Sequence, residues 1–120
     1  MNSLQATEDL GAKGATHPRV SLDDINAAIS SEHVFSALDG VDGYYRGGYE
    51  AQGVQDAAAL GRLTICVLVM RNGFTVIGKS APASPENYDA EKGRTFARED
   101  AIRQLWPLMG FSLRDRLTAE

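Results

Sequence analysis

Leu63-Thr64-Ile65-Cys66-Val67-Leu68-Val69-Met70, followed after Arg71 by Asn72-Gly73 and Phe74-Thr75-Val76-Ile77-Gly78, is the stretch on which the fold turns. The first run is almost continuously apolar, rich in branched side chains, and the right length for a strand rather than a helix. Asn72-Gly73 suits the positive φ angles of a two-residue type I′ turn, so the two runs read as a β-hairpin. Strand side chains alternate faces, so an unbroken apolar run requires cover over Thr64, Cys66 and Leu68 on one side and over Ile65, Val67 and Val69 on the other. One helix cannot cover two faces, and a two-stranded sheet is marginal alone. The expectation is a homo-oligomer, with hairpins paired edge to edge or packed face to face, and with Ile65, Val67, Val69, Phe74 and Trp106 in its interface or core.

Downstream, Ser84-Pro85-Glu86-Asn87 reads as a turn or single helical turn, with Asn87 available to cap a long helix beginning near Asp89. At 100° per residue Ala90, Ala97, Ala101, Leu105 and Leu108 share one stripe beside Gly93, and such small residues let the helix backbone approach its neighbour closely. Pro107 sits near its end, Gly110 reads as a C-terminal cap, and Phe111 to Leu117 as a short final helix. Trp106 closes the core near the hairpin or anchors an interface.

Upstream, residues 1–20 lack sustained periodicity and read as a mobile tail. Ser21 opens a helix: its hydroxyl can accept from the Asp24 amide, and Asp23 and Asp24 lie against the positive end of the peptide dipoles. Leu22, Ile25, Ala28 and Ile29 form its apolar stripe, which Val34, Phe35 and Leu38 can extend. Asp39 to Gly61 contains six glycines and reads as a flexible connection over 39–61. The order of helix, long Gly-rich loop, β-hairpin, long helix and short C-terminal helix defines an α+β class, a single domain over 21–120 behind its tail.

The chain has 120 residues, 43% of them hydrophobic, which is enough for one compact domain and too few for two with independent cores. Its formal charge is −4, unevenly spread: residues 1–61 carry three basic and nine acidic side chains, residues 62–120 nine and seven. That division is unlike the uniform positive field that phosphate-backbone binding requires, so nucleic acid is disfavoured as a partner. A lone cysteine, Cys66, allows no intrachain disulfide and no Cys-rich zinc site, and fits a reducing, intracellular setting. Without a long apolar run or a signal-peptide core, the expected location is the cytosol, with no membrane partner.

The hairpin residues, together with Ala83-Ser84-Pro85-Glu86-Asn87-Tyr88-Asp89-Ala90-Glu91 and Ile102 to Leu108 with its Trp106-Pro107 pair, resemble a family of small proteins from tailed bacteriophages and prophages. The likeness covers roughly 62–117 and, more weakly, Arg19 to Phe35. It implies a phage accessory protein in the cytoplasm of an infected bacterium and carries no catalytic assignment to transfer. Where members commonly show Ser-Ala-Cys-Ala, this chain has Ser80-Ala81-Pro82-Ala83, which argues against cysteine-pair chemistry.

Among candidate site residues, Arg94 and Arg98 emerge at the edge of the packed stripe, where water is partly excluded. With Lys79 they could hold an anion or an acidic partner, or they could serve packing by snorkelling over apolar neighbours and pairing with a carboxylate such as Glu91. Tyr44, Tyr45, Arg46 and Tyr49 offer aromatic faces and a cation that could stack a base or fasten onto a protein, against the simpler reading of a solvated loop. Glu86, Asp89 and Glu91 could do acid–base work, but acids are favoured at a helix start in any case. Cys66 in the middle of an apolar strand behaves as a small hydrophobe, and His17 and His33 have no neighbouring ligand cluster. No metal or cofactor site and no catalytic constellation is expected. Two functions follow: a non-enzymatic accessory protein that binds and blocks or redirects a host bacterial protein, such as a defence component, or an oligomeric sponge for a nucleotide-derived signal.

Overall fold

The computed structural model describes residues 3–46 and 54–119. In chain order these form α1 (Ser3–Ala12), α2 (Leu22–Ala28), β1 (Ile29–Ser36), α3 (Ala37–Arg46), α4 (Ala57–Gly61), β2 (Thr64–Met70), β3 (Thr75–Ser80), a single 3-10 turn (Pro85–Asn87) and α5 (Ala90–Ala119). The class is α+β, with the hairpin and long helix where the sequence puts them.

The hairpin closes differently from the expected type I′ turn. Met70 N–H donates to the Phe74 carbonyl at 2.8 Å and Gly73 N–H to the Met70 carbonyl at 2.9 Å, leaving a three-residue loop in which Gly73 alone adopts positive φ, +87°. Asn72 instead turns its carboxamide onto the Phe74 amide at 2.9 Å, a local bond that a short polar side chain makes readily.

The sheet has three strands in the order β1-β2-β3, all antiparallel. The third is a correction: the first helix does not run on toward Leu38 but stops at Ala28, and Ile29–Ser36 extends beside β2, with Val34 opposite Cys66 and Phe35 opposite Ile65. The second edge of β2 would otherwise present a row of unpaired backbone groups, and pairing them outweighs the short helical periodicity.

Two more segments are more ordered than expected. Residues 3–12 of the supposed tail are helical, with Leu4 only 3% exposed. Glu8 receives bonds from Arg19 and the Leu22 amide, and Ser3 donates to Glu99 at 3.3 Å. Within the supposed loop 39–61, α3 and α4 are helical, residues 54–56 form the turn into α4, and residues 47–53 lie outside the described set. α3 is opened by a reciprocal pair, Ser36 N–H to the Asp39 carboxylate and Asp39 N–H to the Ser36 hydroxyl, each at 3.1 Å. That capping box supplies what the glycines remove. Ser21 and Asp24 form the same arrangement at α2, as expected.

α5 packs over the face of β2 and β3 bearing Thr64, Cys66, Leu68, Met70, Val76 and Gly78, all but Gly78 with side chains that are buried there. Ile25, Cys66, Leu68, Ala97, Ala101 and Ile102 are fully enclosed. Burying a side chain such as Ile102 or Leu68 contributes about 1.5–3 kcal/mol. The contact is close because it is made by small residues: a Cβ on Gly78 would lie 2.0 Å from the Ala97 carbonyl, and one on Gly93 would lie 2.6 Å from the Thr64 hydroxyl. The helix runs through Pro107 and Gly110 without a separate final segment, and its cap is not Asn87 but Asp89, whose Oδ1 accepts from the amides of Glu91 and Lys92. Pro107 faces solvent, while Met109 and Leu113 continue the partly buried stripe beside Arg19, Val20 and Asp24.

α5 also occupies part of the outer edge of β3. Lys79 N–H donates to the Asp100 carboxylate at 2.9 Å, and the Gln104 amide donates to the Ile77 carbonyl at 2.8 Å. Two of the outward backbone groups of β3 are thereby occupied by side chains.

Candidate functional site

With α5 on one face, the register lays out the other. Its rows run Phe35–Ile65–Lys79, His33–Val67–Ile77 and Ser31–Val69–Thr75. Ile65, Val67, Val69 and Phe35 are half-buried, whereas Ile77 is 59% exposed, and His33, Thr75 and Lys79 are exposed around it. The face thus has an apolar centre and polar neighbours, where a fully solvated face would be polar throughout.

The arginines part company. Arg98 Nε donates to Glu32 at 2.7 Å and its NH2 to the Asn26 side chain at 2.9 Å, tying α5 to β1 and α2. Arg94 lines a different cavity with Ser36, Asp39, Thr64 and Tyr88, and Lys79 stands on the open sheet face, so these three cations do not converge. Tyr44 and Tyr45 pack edge to face with ring centres 5.5 Å apart on α3, a short helix rather than a loop. Arg46 ends that helix, and Tyr49 lies outside the described residues. Phe74, 55% exposed, lines an apolar cavity of about 420 Å³ with Met70, Leu105, Leu108 and Met109. The Trp106 indole donates to the Val20 carbonyl at 2.9 Å, pinning the approach to α2, while its ring packs against the core.

Catalytic readings gain nothing from the geometry. Cys66 is enclosed on the α5 side, where burial pushes its thiol up, the Glu32 charge adds to that, and Arg98 opposes it. His33 projects from the opposite face and bonds the Ser31 hydroxyl at 3.2 Å. Asp89 is engaged as a helix cap, and among the described residues no group of His, Cys, Asp and Glu is arranged to hold a metal ion. No helix among the described residues is long and apolar enough to cross a membrane.

One constellation carries no sequence signature. Where β3 ends and α5 begins, Arg62, Ser80, Asn87, Tyr88, Asp89, Lys92 and Phe96 line a cavity of about 130 Å³. The residues come from four separate segments, and α5 approaches β2 closely there, at Gly93.

The described residues thus form a three-stranded antiparallel sheet under one long helix, with Ile77 exposed on the sheet's other face. The chain belongs to the phage protein (N4 Gp49/phage Sf6 gene 66) family, which it matches over residues 20–117, from the lead-in of α2 almost to the end of α5. No curated protein and no solved structure matches it.

Proposed function

We propose that the chain is a non-enzymatic phage accessory protein that acts in the host cytoplasm by binding a host bacterial protein and blocking or redirecting it. The observation that carries this reading is the apolar row of Ile65, Val67, Val69 and Ile77 on the sheet face away from α5, where Ile77, on the edge strand β3, is 59% exposed. A partner therefore docks onto the face, and the same face pairs two copies of the chain when no target is present. The nucleotide sponge required Arg94, Arg98 and Lys79 together and loses support from their separation. The test is affinity capture from expressing bacteria with the full chain and with Ile77→Lys. The full chain retains one host protein in stoichiometric amount and the variant loses it; a host protein held equally by both, or none held by either, refutes the proposal.

A further inference from the structure

We infer that the cavity between the end of β3 and the start of α5 binds a phosphate-bearing anion through Arg62 and Lys92. The two cations reach it from different parts of the chain, Arg62 from the residue after α4 and Lys92 from the first turn of α5. Neither side chain is held by an ion pair or hydrogen bond among the described residues. An anion in the cavity would give both cations a counter-charge. The wall supplies further donors in the Ser80 hydroxyl, the Asn87 amide and the Tyr88 phenol. Phe96, 54% exposed, stands at the mouth and gives an attached organic group a flat apolar surface.

The one acid in the lining, Asp89, is largely spent on α5: its Oδ1 accepts from the amides of Glu91 and Lys92 at 3.0 and 3.1 Å. Those amides are thus not available to the ligand, and recognition rests on side chains, leaving a local balance of one positive charge. A volume of about 130 Å³ suits a single phosphoryl group and excludes burial of a whole nucleotide. Arg94 lines the neighbouring cavity, together with Tyr88 and Asp39. The claim is independent of what occupies the open sheet face.

The experiment is titration of the full chain with pyrophosphate, followed by amide NMR shifts and calorimetry. Shifts concentrate at Ser80 and Gly93; Arg62→Met and Lys92→Met each weaken binding about tenfold, the scale of one charge-assisted contact, and Lys92→Arg retains it. Asp89→Asn, which keeps a capping oxygen and removes the charge, tightens binding several-fold, while Lys13→Met, at the exposed position just after α1, leaves it unchanged. Absence of shifts at Ser80 and Gly93 at millimolar pyrophosphate, equal losses in Lys13→Met and Lys92→Met, or no gain from Asp89→Asn in variants with native spectra would overturn the assignment.

Discussion

Gly78 sets the distance between helix and sheet. Its missing side chain is the space the Ala97 carbonyl occupies, so Gly78→Ala drives a methyl into backbone that cannot rotate away. The expected loss is about 3 kcal/mol or more, at the upper end of overpacking effects, read as a lowered urea midpoint. Gly110 provides the contrast: a Cβ there meets nothing within 4 Å inside a continuous helix. Gly110→Ala should raise stability by roughly 0.5–1 kcal/mol. Similar losses from both substitutions would mean that the close contact is not what Gly78 provides. At this scale the sequence was informative where chemistry is local. The Ser21 cap and the small-residue stripe could be read directly, whereas the partner of Arg98 is 66 positions away at Glu32 and no spacing rule reaches it.

The elements hold together through a few polar staples, and the one joining α1 to α2 is sensitive to acid. The Leu22 amide and the Arg19 guanidinium hold the Glu8 carboxyl below its usual range, as the Ser21 amide and hydroxyl do for Asp24. Both groups are favoured as carboxylates in the folded chain, so their contribution is complete above the ordinary carboxylate pKa of about 4 and fades as pH falls through the lowered folded values. Wild-type stability should therefore drop below about pH 4, and Glu8→Gln should be less stable at pH 7 with a flatter acid limb, measured by thermal melts across pH. An unchanged acid limb would remove Glu8 from the account. The hairpin, α2 and α5 were legible because each carries its own pattern. β1 was not, since Ile29-Ser30-Ser31-Glu32 becomes a strand only when β2 lies beside it, and α3 was obscured by glycines although Ser36 and Asp39 had the spacing of a capping box. The cavity at the start of α5 could not be foreseen for the same reason: Arg62 and Lys92 meet only after the sheet has formed.

The whole molecule is long and thin, 59 × 32 × 17 Å, with one sheet face under α5 and the other open. Self-association through that face predicts a light-scattering mass of at least twice 12.9 kDa at micromolar concentration, reduced to the single chain by Ile77→Lys. A wild-type protein that scatters only as a monomer would end the assembly claim while leaving capture of a host protein to be judged by its own experiment. The charge division also belongs to this scale: the acidic first half and the slightly basic second half share one fold, so net charge alone describes neither surface. On the β3 side an incoming strand meets Asp100 and Gln104 where it would pair with Lys79 and Ile77, and must displace those side chains before it gains bonds of its own. Lengthening of the sheet from that side is therefore disfavoured.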